Sequence, residues 1–437
     1  MLKNIKIFLS NKSNVDQNII NNNQQQQSNS NNNSPKNSRP KNSSNSKYYD
    51  DIKLIKELNY VPMIGLENIG KSCYMNSVLQ SFSNLPMLTN YFLNPKNEEI
   101  IKKNTKTMGD KDALSITVEY KEVIDNLWKG KPNTPYTPLK FKKTLGKLNN
   151  LFKEDTAGDS KDLALYLIME MHNELNNVDT KLVENNNSKR PKVDMNKTVN
   201  PYDALEVLHY FMNDFITNHN SVIVNTFYGI NQSIFECQVC KQNCLRSNIQ
   251  IPLFKYNYEN FFLLEFPLDE VRKFVALNNY GINMGMNYQN IKEVNIDDCF
   301  NYNRKQNEME GYCERCGSNN AKILSMTQIY SLPCVLMLIF NRGKGLQYDI
   351  KINFEPLLDL SRVVSYGDRI YELQCVIKHL GDNSPTGHFI AFCRSPVPYK
   401  NNWYCYNDNT VVLENNWKTI HDVGNTYILF YQLKNIK

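Results

Sequence analysis

No stretch of this 437-residue chain approaches the ~18 consecutive apolar residues that a membrane-spanning helix requires, so no helical membrane span is expected. The basic start, "MLKNIKIFLSNK", has too short an apolar core for a secretory signal, though its composition leaves room for a mitochondrial presequence. Cysteine is scarce. Eleven in so large a chain cannot build a disulfide scaffold, and free thiols in a reducing, cytoplasmic or nuclear compartment are expected. Positive charge is missing from most of the chain. Of the net +6, +5 falls in the first fifty residues, where seven Lys/Arg face two Asp. The near-neutral remainder argues against a nucleic-acid-binding body. No solenoid-type repeat is present.

What is there describes a folded protein with an unequal start. Hydrophobic residues make up 41%, with 26 Tyr and 20 Phe, enough for a large core and two or three subdomains. Residues 1–48 are dominated by Asn, Gln and Ser. Such a tract buries too little apolar surface to offset its ordering entropy, so a disordered tail is expected over 1–58. Beyond it, Met75, Val78, Leu79 and Phe82 fall at helical spacing in a helix over 73–85 closed by Pro86. A second helix is expected in "DSKDLALYLIMEMHNELN" with Ser160 as N-cap, and a third in "YDALEVLHYFMNDFITNH" with Leu205, Leu208, Met212 and Phe215 on one side. A polar insertion over about 177–200 separates them. From about 221 short β-branched and aromatic runs read as strands: "SVIVNTFYG", "NIQIPLF", "VLMLIF", "YELQCVIKH", "HFIAFCR", "WYCYN", "TYILFYQL". Helices first and strands later make an α+β layout.

Three places carry chemistry. In "GLENIGKSCYMNSVLQ", Cys73 follows a glycine-containing turn and opens a helix. Thiolate formation is favoured at a helix N-terminus and beside a histidine, and the backbone N–H groups there face a developing oxyanion. Asn68 can add a side-chain donor. A lone cysteine at such a place is more often packing than catalysis. Of six histidines, His172, His209 and His219 lie on or at the ends of expected helices, and His421 has no supporting context. His379 and His388 bracket "HLGDNSPTGH", and His388 opens a strand. In the next strand, "WYCYNDNTVV" offers Asn407 and Asp408, which can orient an imidazole or form a turn. Finally, Cys237–Cys240 and Cys313–Cys316 are two C-x2-C knuckles. Four thiolates at the tips of two hairpins suit a structural zinc; a redox pair is the alternative, without thioredoxin-like surroundings. Cys244 lies close enough to the first pair to be mistaken for a ligand. Cys299, Cys334, Cys375, Cys393 and Cys405 fall in apolar contexts and are expected to pack.

On these residues the chain resembles the ubiquitin-specific proteases, papain-like cysteine deubiquitinases of thumb, palm and fingers. "GLENIGKSCYMNSVLQ" is similar to their Cys box, and "GHFIAFCR…WYCYNDNTVV…YILFYQL" to their His box, over about 60–437. The resemblance implies a catalytic domain over 59–437, with thumb about 59–220, fingers about 221–325 and palm about 326–437. It implies Cys73 as nucleophile, His388 as general base, Asn407 as third triad member with Asp408 sharing that role, and Asn68 in the oxyanion hole. It further implies one zinc on Cys237, Cys240, Cys313 and Cys316, with ubiquitin and ubiquitinated proteins as partners of a monomer. "HLGDNSPTGH" resembles the loop that closes over the ubiquitin C-terminus. Asp159 and Asp162 match acidic positions of a helix that usually begins with two glutamines, absent here. Lys71-Ser72 stands where Asn-Thr is common, and "FNRGKG" lacks the usual aromatic. The expected reaction is thiol-dependent hydrolysis after ubiquitin's terminal glycine, through a thioester. A non-catalytic ubiquitin-binding scaffold of the same fold and a protease for a ubiquitin-like modifier are the alternatives.

Overall fold

The computed structural model describes residues 61, 63–106, 114–153, 156–178, 199–248, 251–280, 288–343, 349–367, 369–381, 387–397 and 401–434. The tail expected over 1–58, most of the polar insertion, the middle of "HLGDNSPTGH" and the end of "FNRGKG" lie outside these residues.

Helices come first. They are α1 (Cys73–Ser83), α2 (Pro86–Leu93), α3 (Glu98–Lys106), α4 (Ile116–Lys129), α5 (Leu139–Leu148), α6 (Ser160–Leu175), α7 (Ala204–Asn218) and α8 (Val222–Phe227). Every residue of α1 is buried, polar ones included. Met75, Val78, Leu79 and Phe82 are fully enclosed, each worth about 1.5–3 kcal/mol of transfer free energy. Pro86 does more than end this helix: its fixed φ opens α2 at the first helical position. The cap of α6 is Asp159, not Ser160. The Asp159 carboxylate accepts from the Lys161 N–H, and Ser160 is the first helical residue. In α7, Leu208, Met212 and Phe215 are buried as expected, but Leu205 in the first turn is exposed.

Strands dominate afterwards, interleaved with helices that the sequence pattern had not suggested. They are β1 (Gly229–Cys237), α9 (Gln238–Ser247), β2 (Phe254–Phe261), β3 (Leu264–Pro267), α10 (Leu268–Tyr280), β4 (Glu293–Asn295), α11 (Ile296–Asn303), β5 (Asn307–Cys313) and β6 (Ser318–Ser331). Next come β7 (Val335–Asn341), β8 (Lys351–Asn353), β9 (Leu357–Asp359), β10 (Val364–Tyr366), β11 (Ile370–Leu380), β12 (His388–Arg394), β13 (Trp403–Asn407), β14 (Thr410–Leu413), α12 (Trp417–Asp422) and β15 (Asn425–Leu433). "SVIVNTFYG" is not a strand at its start: the Ser221 hydroxyl accepts from the Val224 N–H, and this cap turns 222–227 into α8.

An eight-stranded sheet in the order β14-β13-β12-β11-β15-β7-β3, with β9 beside β11, forms the centre. Both of its faces are covered. Along β7, Met337 and Ile339 join the core shared with α1, whereas Leu336, Leu338 and Phe340 face a second core with α10 and α11. Helix α1 lies across β12 and reaches β11 and β13. A second sheet, β10-β6-β1-β2 with β5 on β6, carries the four cysteines at its far end.

Candidate active site

Three elements meet at one place: the turn before α1, the start of β12 and the end of β13. Strands β12 and β13 are antiparallel neighbours with Ala391 opposite Tyr406, so His388 and Asn407 occupy adjoining strand ends. His388 Nε2 stands 2.7 Å from Asn407 Oδ1. Cys73 is near enough to the imidazole to be the first influence on its charge, and with Nε2 engaged by Asn407 the nitrogen left for sulfur is Nδ1. Cys73 is the first residue of α1 and 8% exposed, so the helix N-terminus adds to the anion-stabilising field around its sulfur. Contact with Cys73, opposed by partial burial and assisted by Asn407 and the charge of Asp408, pushes the His388 pKa up to about 9.

Asp408 sits 4.0 Å from His388 Nε2 and bonds elsewhere. Its Oδ2 accepts from Asn68 Nδ2 at 2.8 Å and its Oδ1 from Asn76 Nδ2 at 2.8 Å. The other end of Asn68 is also held: Oδ1 accepts the Ser72 N–H at 2.9 Å. With one N–H on Asp408, the Asn68 amide keeps a second N–H. The sequence-derived site residues Asn68, Cys73, His388, Asn407 and Asp408 therefore come together. Asn76 was missed. The signal available for it was a polar residue inside a helix whose apolar spacing leaves no solvent face.

Local backbone explains how the turn gets there. Gly65 is required by close approach, since a Cβ there would lie 2.3 Å from the Asn409 carbonyl oxygen. Leu66 N–H donates to the Asp408 carbonyl at 2.9 Å, tying the turn to the β13 end. Gly70 and Lys71 both take positive φ, 73° and 54°. Lysine is disfavoured there and asparagine tolerated, a physical reason for the departure noted at Lys71-Ser72 to be felt in the backbone. Asp408 itself sits at φ 49°, the region aspartate tolerates.

Of the other histidines, His379 lies near the site, where burial first and then Arg342 and His388 lower its pKa, while His172 and His219 pair elsewhere. The His379 ring packs on Phe389 (centroids 4.8 Å) and fills the space beside Gly387, where a Cβ would lie 2.0 Å from its Cε1. His172 Nε2 is 3.0 Å from His219 Nδ1, and His172 Nδ1 is 2.8 Å from Ser221 Oγ. Burial, then the neighbouring His219, lowers the His172 pKa to about 4. At the start of α6, Asp159 Oδ2 accepts from the Tyr427 hydroxyl at 2.6 Å, and burial followed by the Asp159 charge raises the Asp162 pKa.

The four knuckle cysteines also converge. All their sulfurs lie within 4.8 Å of one another, with Cys237–Cys316 at 3.9 Å and Cys240–Cys313 at 3.7 Å. A tetrahedral ion with metal–sulfur bonds of ~2.3 Å needs sulfurs about 3.8 Å apart, so the set fits a zinc-type ion. Burial raises the thiol pKa of Cys237 and Cys240. At Cys313 burial is outweighed by N–H bonds from Cys316 and Arg315, which bring it to about 7. The expectation of two hairpins needs correction at the first pair. Cys237 ends β1 and caps α9, and Cys240 lies in its first turn. Gln, Lys, Leu and Arg favour helix, and the chain turns only at Asn248 with φ 51°. The second pair does lie at the β5–β6 hairpin, closed by Gly317 at φ 69°. Cys244 is outside the set.

The family model described as "Ubiquitin carboxyl-terminal hydrolase" matches residues 64–431. Among curated proteins, ubiquitin carboxyl-terminal hydrolase 4 of Vanderwaltozyma polyspora is 24% identical over 403 residues, covering 84% of this chain and 41% of that protein. Ubiquitin carboxyl-terminal hydrolase 2 of Rattus norvegicus is 24% identical over 386 residues, covering 85% and 54%. The chain thus spans about half or less of the length of these relatives. Among solved structures, a yeast SAGA DUB module with a mutant Sgf73 superposes with TM-score 0.57 at 18% identity, over 90% of this chain and 74% of that one. The SAGA Ubp8/Sgf11/Sus1/Sgf73 DUB module bound to ubiquitin aldehyde gives TM-score 0.55 at 17%, over 90% and 75%. With its family model spanning nearly the whole described chain and the same α+β fold in its structural neighbours, this chain belongs to the ubiquitin carboxyl-terminal hydrolase family.

Proposed function

We propose that the chain is a thiol-dependent deubiquitinase that hydrolyses the isopeptide or peptide bond after the C-terminal glycine of ubiquitin. One arrangement carries this reading: Cys73 at a helix N-terminus beside an imidazole that Asn407 holds at Nε2. Family membership supports it, as do structural neighbours bound to monoubiquitin or ubiquitin aldehyde.

His388 takes the proton from Cys73, or the two rest as an ion pair, and the nucleophile is the thiolate. The sulfur attacks the glycine carbonyl carbon; the C–S bond forms as the carbonyl π electrons move to oxygen. The Asn68 amide and the N–H groups at the start of α1 stabilise that oxyanion. Collapse breaks the C–N bond, and His388 gives its proton to the departing amine. Water, deprotonated by His388, then hydrolyses the thioester and restores the thiol. Asn407 is the third triad member, and Asp408 supports the site through Asn68.

The same reading assigns the helical part (59–220) as thumb, 221–325 as fingers and 326–437 as palm, working as a monomer in cytoplasm or nucleus without nucleic acid. Cys237, Cys240, Cys313 and Cys316 would hold one structural zinc, whose bound charge locks four thiolates and has no open position for chemistry.

Incubation with a ubiquitin C-terminal electrophilic probe tests the function. A covalent adduct on the wild-type chain, absent from Cys73→Ala, is expected. No adduct on folded, metal-loaded protein would exclude a deubiquitinase and leave the ubiquitin-binding scaffold. An adduct only with a probe built on a ubiquitin-like modifier would reassign the substrate.

A further inference from the structure

We propose that Asn76 is a positioning residue that clamps Asp408 and the 66–72 turn to the nucleophile helix; this rests on the protease reading above. Its side-chain nitrogen meets three acceptors: Asp408 Oδ1 at 2.8 Å, the Leu66 carbonyl at 3.2 Å and the Glu67 carbonyl at 3.2 Å. Three acceptors around one nitrogen fix which end of the amide faces them. Asn76 lies one helical turn beyond Cys73, in a helix with no exposed residue. It is therefore a rigid post from which the oxyanion turn and the β13 end are both held.

Two further observations point to function rather than packing. Asn76 is 2% exposed, and its Oδ1 has no hydrogen-bond partner among the described residues. A buried orphan acceptor is unfavourable, and an apolar side chain of like volume would avoid it. What an apolar residue cannot do is hold Asp408. Asp408 takes the nitrogens of Asn68 and Asn76 on its two oxygens and stands 4.0 Å from the His388 ring. Lose Asn76, and Asp408 keeps only the exposed Asn68 as a side-chain bond; the oxyanion donor and the charge beside the imidazole then shift together.

Steady-state hydrolysis of a fluorogenic ubiquitin C-terminal amide tests this, across pH, on the full chain. For Asn76→Ala, kcat is expected to fall about 10–100-fold with KM changed less than about threefold, because sub-ångström placement is lost while remote contacts stay. The alkaline limb of the rate profile, which follows His388, is expected to move to lower pH in Asn76→Ala and in Asp408→Asn alike. The double variant should lose little more than either single one. Asn76→Leu guards against a cavity artefact: it keeps the branched shape, removes the amide's hydrogen bonds, and should be as slow. Ser77→Ala, on the same helix and bonded instead to Ser160, should keep both rate and limb. Additive losses, an unmoved alkaline limb, or an equal loss in Ser77→Ala would overturn the proposal while leaving the protease reading intact. Absence of turnover by the wild-type chain would instead refute that reading.

Discussion

The candidate active site and the cysteine cluster are two ways of building a site. In the first, residues more than 300 positions apart meet because large structures meet: α1, the β12 start and the β13 end each belong to a broad core. At the cysteine cluster the partners come from two short knuckles, and the buried core there is only Cys237, Cys240, Cys313 and Ala321. The first site is held by its fold, whereas the cluster has little apolar burial of its own and four thiols placed where an ion fits. Function in the first should be lost by touching chemistry, and structure in the second by removing metal.

The largest effect should come from Cys73→Ala. Turnover should drop to background with the melting temperature little changed, which kinetics and calorimetry together would show. If Cys73→Ala unfolds the protein, the first site is less independent of its nucleophile than the core suggests.

Next, chelation, or Cys237→Ser with Cys313→Ser, should loosen the β1–β2–β6 end. Limited proteolysis there should accelerate and labelling by the ubiquitin probe should slow. Alkylation of Cys73 by a small reagent should be unchanged, because the first site does not depend on that metal. Equal loss of both reactions would mean that the two regions are coupled.

Gly65→Ala is a smaller perturbation within the first site. Its Cβ would meet the Asn409 backbone, so a destabilisation of about 1–3 kcal/mol is expected by denaturant titration, with reduced turnover. Acid should act at a third place. His172 has a folded pKa of about 4, below its unfolded value, so the unfolded chain binds more protons between the two. The stability this neutral histidine confers is complete above about pH 6.5 and is lost as pH falls towards 4. His172→Gln should flatten that acid slope. The smallest expected effect is at Lys71, where asparagine should relieve a left-handed backbone and stabilise by about 0.5–1 kcal/mol.

Cys73, His388, Asn407, Asp408, Asn68 and the four knuckle cysteines stood out as candidates because chemistry-bearing residue types stood beside local structural punctuation, and the family resemblance supplied their proposed roles. The long amphipathic helices and most apolar strands were legible for the same reason, but "NIQIPLF" was not a strand: residues 251–253 are irregular and β2 begins at Phe254. Helix α9 was not legible, because two cysteines suggested a turn while the residues after them favour a helix. Nor was α8, whose β-branched residues are overridden by the Ser221 cap.

The sequence by itself determined the residue types of both sites and the order of helices before strands, since those follow from side-chain chemistry and periodicity. Only the tertiary structure decided that Asp408 bonds Asn68 and Asn76 while Asn407 takes the imidazole. Two adjacent residues at a strand end point to different neighbours, and which one reaches the ring depends on the φ of 49° at Asp408 and on the helix packed behind it. Such directions are set by contacts across hundreds of residues, and no local pattern carries them.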